Sequence, residues 1–165
     1  MTTPNQVLAI AKHEADIAYK EGANNDNKYG IWYGNGFNNV PWCAIFVSYC
    51  MDKGGSTELH GIQSKRGFHN CNAGLAYFMA RGQCVEPADA QPGDIVFFNF
   101  DTDTKTSEHV GIVYVNQKEK KNLVTFEGNT SNKSGSANGD GVYKMNRAYG
   151  SRIAGIARPQ WSTNE

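Results

Sequence analysis

The chain has 165 residues, with 16 Lys+Arg against 16 Asp+Glu and 39% hydrophobic residues. A chain of zero formal charge has no basic surplus to neutralise a phosphate backbone or an anionic lipid surface, so neither nucleic acid nor a membrane is an expected partner. No apolar run approaches the roughly 20 residues of a bilayer span.

The start Met1-Thr2-Thr3-Pro4-Asn5-Gln6 lacks the basic and apolar regions of a signal peptide, so synthesis in the cytoplasm is expected. Length and apolar share fit one globular domain over residues 1–165, expected to be monomeric. Cys43, Cys50, Cys71 and Cys84 are too few for a disulfide framework and include no C-x-x-C pair, so at least one needs another explanation.

In chain order, Thr3 is a candidate N-cap, Pro4 sits at the first helical position and Gln6 completes a capping box. Val7, Ile10, Ala11, Ile17 and Ala18 then make one helical stripe that Gly22 ends. The stretch from Asn24 to Asn39 is rich in Asn and Gly yet holds Tyr29, Trp32, Tyr33 and Phe37, which predicts an ordered aromatic loop. From Pro41, the run from Trp42 to Met51 is apolar nearly all round, as in a helix buried on most sides, and Gly54-Gly55 stops it. Asn72 with Ala73, Ala76, Tyr77, Met79 and Ala80, closed by Gly82, predicts a third short helix.

After the turn Gln91-Pro92-Gly93-Asp94 the pattern changes to strands: Ile95 to Phe98, Val110 to Val115, Leu123 to Phe126, Val142 to Met145 and Ile153 to Ala157. Helices first and an antiparallel sheet second is an α+β arrangement.

Cys43 is the first residue to weigh as a nucleophile. It falls in the first turn of a buried helix, where unpaired N–H groups and the helix dipole favour a thiolate. A buried structural cysteine is the competing reading. His109 opens the apolar run His109-Val110-Gly111-Ile112-Val113 and so stands at a strand end. On the next strand Glu127 and Asn129 share a face by alternation, and either could orient an imidazole.

Four ordered blocks, Pro41-Trp42-Cys43-Ala44-Ile45-Phe46, Pro92-Gly93-Asp94-Ile95-Val96-Phe97-Phe98, His109-Val110-Gly111-Ile112-Val113 and Glu127-Gly128-Asn129, resemble the successive signatures of the CHAP family. These are the cysteine, histidine-dependent amidohydrolases/peptidases of phage endolysins and bacterial wall hydrolases. The resemblance runs from about residue 24 to residue 157, and Tyr29-Gly30 with Trp32-Tyr33-Gly34 upstream adds to it.

It implies a papain-like α+β fold and hydrolysis of an amide bond in bacterial peptidoglycan. Cys43 would be the nucleophile, His109 the base and then the acid, and Glu127 with Asn129 the orienting groups. A phage lysin acting on the wall after release is the leading expectation. An autolysin or antibacterial effector with the same chemistry, or an inactive wall-binding module, are the alternatives.

Tyr29, Trp32, Tyr33 and Trp42 are read as substrate-binding residues lining a glycopeptide groove, with core packing as the competing reading. The backbone N–H of Cys43 is one oxyanion donor, and Tyr29, Tyr33, Asn38 or Asn39 are candidates for the second. No cofactor or metal is expected: Asn24-Asn25-Asp26-Asn27-Lys28 holds one carboxylate, which is poor for calcium, and Asp101-Thr102-Asp103 reads as a solvated turn.

Overall fold

A computed structural model of the chain describes residues 2–101, 106–131 and 138–161. Helix α1 spans Pro4–Asp16, capped as the sequence predicts: the Gln6 side chain accepts from the Thr3 N–H at 2.8 Å. Its buried face is Val7, Leu8, Ala11 and Glu14. Ile17 and Ala18 lie outside this stripe, because the helix ends at Asp16, Ile17 is exposed and Ala18 takes a positive φ.

The aromatic stretch is ordered and contains the short helix α2, Lys28–Tyr33, whose start is capped by Asn27 accepting from the Gly30 N–H. Helix α3, Cys43–Lys53, is buried on nearly every side. Helix α4 spans Cys71–Ala80 and is capped by Asn70, with Gly74, Leu75 and Phe78 turned inward and Met79 exposed.

The sheet is antiparallel throughout, in the order β1-β6-β2-β3-β4-β5. Its strands are β1 Cys84–Val85, β2 Ile95–Phe98, β3 His109–Gln117, β4 Asn122–Thr130, β5 Gly141–Ala148 and β6 Ile153–Ala157. The two-residue edge strand β1 has no counterpart in the sequence reading; it is too short to show alternation.

Strand alternation divides the core in two. Ile95, Phe97, Val110, Ile112 and Phe126 pack with α1, α2 and α3 on one face, and Val96, Phe98, Val113, Leu123 and Ile156 cluster on the other. The molecule is therefore α+β, with N-terminal helices packed on a C-terminal antiparallel sheet. Among the described residues no helix is long and apolar enough to cross a membrane.

Candidate active site

The N-terminus of α3 meets the sheet where β3 begins and β4 ends. Two motif glycines make this approach possible. A Cβ on Gly128 would lie 2.6 Å from Cβ of Phe46 and 2.7 Å from the Trp42 ring, so only a glycine lets α3 settle on β4. A Cβ on Gly111 would lie 2.6 Å from Cγ of Glu127; its absence leaves the space through which Glu127 reaches His109.

Cys43 is the first residue of α3, with Trp42 at the N-cap. His109, Glu127 and Asn129 are all fully buried. His109 Nε2 lies 2.7 Å from Glu127 Oε1. The other ring nitrogen, Nδ1, is buried without a hydrogen-bond partner, and the Cys43 sulfur acts on the same ring.

The charges follow from these contacts. At Cys43 a hydrogen bond from the Cys71 thiol, 3.7 Å away sulfur to sulfur, favours the thiolate; burial opposes it, and His109 with the Ala44 N–H tips the balance to a pKa well below that of an ordinary thiol. Burial alone would lower the His109 pKa, but Cys43 and Glu127 outweigh it and raise it to about 9. The arrangement can therefore hold a thiolate beside an imidazolium at neutral pH, which is a nucleophile next to a proton donor.

Glu127 is itself held by a residue that sequence reasoning missed. Arg147 on β5 grips the carboxylate with two hydrogen bonds, Nε to Oε2 at 2.8 Å and Nη2 to Oε1, and the Thr125 hydroxyl donates to Oε2 as well. Burial would raise the Glu127 pKa, yet Arg147 and His109 bring it down to about 2. A signal for Arg147 did exist. It follows Met145 at inward parity on β5, and a buried cation there calls for a carboxylate, of which β4 offers only Glu127.

Asn129 shares neither the face nor the task of Glu127. The β4–β5 register shifts between Glu127 and Thr130, and Asn129 takes a φ of 53°. Its Oδ1 accepts from the Trp42 N–H at 2.7 Å, and its Nδ2 donates to Asn138 and Gly139. It thus ties the start of α3 to β4 and makes no hydrogen bond to His109. Simple alternation fails here because the bulge resets the period.

The groove beside Cys43 has a volume of about 350 Å³ and is lined by Gly36, Phe37, Val40, Pro41, His69, Asn70, Cys71, Ser107 and Glu108. None of the four aromatic residues expected to bind substrate lines it. Tyr29 and Trp42 are fully buried and stacked at 5.2 Å, with the Tyr29 hydroxyl on Glu14 and the Trp42 indole N–H on Glu21. Tyr33 is 5% exposed and contacts His69 and Gly67, while Trp32 packs on Tyr33 and Tyr49. Tyr29, Tyr33 and Trp42 are core residues and Trp32 is partly buried against them, while the aromatic ring at the groove is that of Phe37, packed 4.7 Å from His69.

The four candidates for a second oxyanion donor are engaged elsewhere as well: Asn38 Nδ2 is on Asp26 and Asn39 Nδ2 on the Asn24 carbonyl, beside the two tyrosines already placed. Asp26 is thereby used within its own loop. Thr102 and Asp103 lie outside the described residues, among which no cluster of three or more metal-ligating side chains occurs.

The family model of the CHAP domain matches residues 32–129, a span that includes Cys43, His109, Glu127 and Asn129. The chain belongs to the CHAP family. CHAP domains are in general hydrolases of peptidoglycan, and membership gives this chain a peptidoglycan-related amidase or peptidase activity. Arg147 falls beyond the matched span. No curated protein matches the chain.

Proposed function

We propose that this CHAP domain cleaves one amide bond of peptidoglycan, in the stem peptide, the cross-bridge or the muramoyl-alanine linkage, through an acyl-enzyme on Cys43. The observation that carries the reading is the division of the His109 ring: Nε2 is fixed on Glu127 at 2.7 Å, and buried Nδ1 is left for the thiol.

In this mechanism the Cys43 thiolate attacks the carbonyl carbon, and the developing oxyanion is met by the Cys43 N–H, one of the donors that a helix start leaves without an intrahelical partner. Imidazolium His109 gives its Nδ1 proton to the departing amine, so the amide C–N bond breaks and the acyl group stays on sulfur. Neutral His109 then takes a proton from water, hydroxide attacks the thioester, and the released thiolate regains its imidazolium neighbour. Glu127 stabilises the imidazolium, and Arg147 with Thr125 keeps that carboxylate charged and in place.

The resemblance to wall lysins supports a setting in which the chain is made in the cytoplasm and acts on the wall after release, as a phage endolysin. The test is digestion of purified walls, with mass spectrometry of the soluble fragments. The expected products carry a new carboxylate and a new amine at one amide position and no new reducing sugar ends, and Cys43→Ala yields none while keeping its fold. Unchanged walls, or reducing ends in place of amines, would overturn the proposal; the first result would mark a wall-binding module.

A further inference from the structure

Cys71 forms and breaks no bond to substrate in the reaction proposed above, yet its sulfur sits 3.7 Å from that of Cys43. The two thiols occupy the first positions of two different helices, α3 and α4, and both line the same groove at 5% and 7% exposure. The remaining cysteines are elsewhere: Cys50 is fully buried further along α3, and Cys84 is exposed on β1. A disulfide spans about 2.05 Å, so the two sulfurs need a combined approach of roughly 1.7 Å, which rotation of the two side chains has to supply.

We propose that Cys43 and Cys71 are a peroxide-sensing modification site that closes to a reversible intramolecular disulfide. The Cys43 thiolate attacks one oxygen of a hydroperoxide; the O–O bond breaks, and the leaving hydroxide or alkoxide takes the proton of imidazolium His109, giving a sulfenic acid. The Cys71 thiol passes its proton to His109 and its sulfur attacks the Cys43 sulfur; the S–O bond breaks, and the departing hydroxide takes that proton from His109 and leaves as water. Two thiols have lost two electrons, and the peroxide has gained them.

The protonation states suit this order. Cys43 is held low by the Cys71 hydrogen bond and by His109, while that same bond and burial hold Cys71 high, so the attacking and resolving sulfurs are distinct from the outset. The disulfide also shields Cys43 from the irreversible sulfinic and sulfonic steps. That closure stops hydrolysis rests on the reading of Cys43 as nucleophile; the cross-link itself does not.

Purified protein is treated with graded hydrogen peroxide, and its tryptic peptides are then mapped without reduction. The expected product joins the peptide of residues 29–53 to that of 67–81, with fragmentation placing the bond at Cys43, and dithiothreitol returns both thiols. Wall digestion, scaled to each protein's own untreated activity, should fall to near zero and recover with dithiothreitol in the unsubstituted protein. In Cys71→Ser it should fall without recovery, as Cys43 gains two or three oxygens. Oxygenated Cys43 beside a free Cys71 in the unsubstituted protein, or a bond through Cys84 or between two chains, would overturn the proposal. The peptide map decides even if Cys71→Ser fails to fold, or if the protein digests no wall at all.

Discussion

His109 has one nitrogen on Glu127 and the other left for sulfur, so a change at Glu127 is felt at the reacting atoms, whereas a change at Asn129 is felt at the backbone of α3. Glu127→Gln keeps the shape and removes the charge. It should lower kcat by about a hundredfold or more, within the span of general acid–base contributions, and move the alkaline limb of the pH–rate profile below the imidazole's present value of about 9. It also leaves the guanidinium of Arg147 buried without its counter-charge, so stability should fall by about 3–5 kcal/mol in urea titrations. Asn129→Ala strips the buried Trp42 N–H of its acceptor. Stability should then fall by about 1–3 kcal/mol while both limbs of the profile stay where they are. Equal shifts in the two pH profiles would show that the amide also sets the imidazole's charge.

At the scale of elements, the site depends on how closely α3, β3 and β4 approach. Gly128→Ala puts a methyl 2.6 Å from Phe46, against a helix that cannot retreat, and should destabilise by about 1–3 kcal/mol by overpacking. Gly111→Ala presses on Cγ of Glu127, a side chain already pinned by Arg147, so its loss should fall on kcat more than on the urea midpoint. A Gly111→Ala protein with full activity would show that the carboxylate has room to move.

The same elements explain what was legible in the sequence. The start of α1, the apolar α3 and strands β2 to β6 carry strong periodic or capping signals, with Cys43 and His109 at the first positions of α3 and β3 and Glu127 within β4. The aromatic loop is ordered, as read, but composition leaves substrate binding and core packing equally open for Tyr29, Trp32, Tyr33 and Trp42, and only tertiary packing stacks Tyr29 on Trp42 and sets Trp32 against Tyr49 of α3. Cys71 and Arg147 are brought to the site only by tertiary packing, from 28 and 20 residues beyond their partners Cys43 and Glu127. Asn129 is misplaced by a bulge that no alternation rule registers.

For the whole molecule, the buried charges set how stability responds to pH. His109, raised from 6.5 to about 9, contributes stability that is present below 6.5 and lost as pH rises through 9; Cys43, lowered from 9.0, contributes stability present above 9.0 and lost as pH falls. Where the folded thiol has lost its proton and the pH lies between 6.5 and 9, the folded chain keeps one proton on the imidazole and the unfolded chain keeps one on the thiol, so the two effects cancel. Glu127, lowered from 4.5 to about 2, loses its contribution as pH falls through that range. Relative to a Cys43→Ala, His109→Gln double variant, which keeps Glu127 and Arg147, the urea midpoint should hold level from the titration of the folded thiol up to pH 9. A steady fall from 6.5 to 9 would mean that the imidazolium has no thiolate partner.

Removing metal should change little, since Asp26 is engaged by Asn38 and no step of the reaction draws on a cation: activity is expected to survive EDTA. Loss restored by calcium would assign a role to the carboxylates around Asp101 or Asp26. The most direct test of the whole reading is to mix the protein with excess soluble muropeptide, quench in acid within the first turnovers and weigh the intact chain. The expected result is an added mass equal to the acyl half of the cleaved substrate, mapped to Cys43 and absent from Cys43→Ala. Turnover without an adduct on Cys43, continuing unchanged in Cys43→Ala, would contradict it.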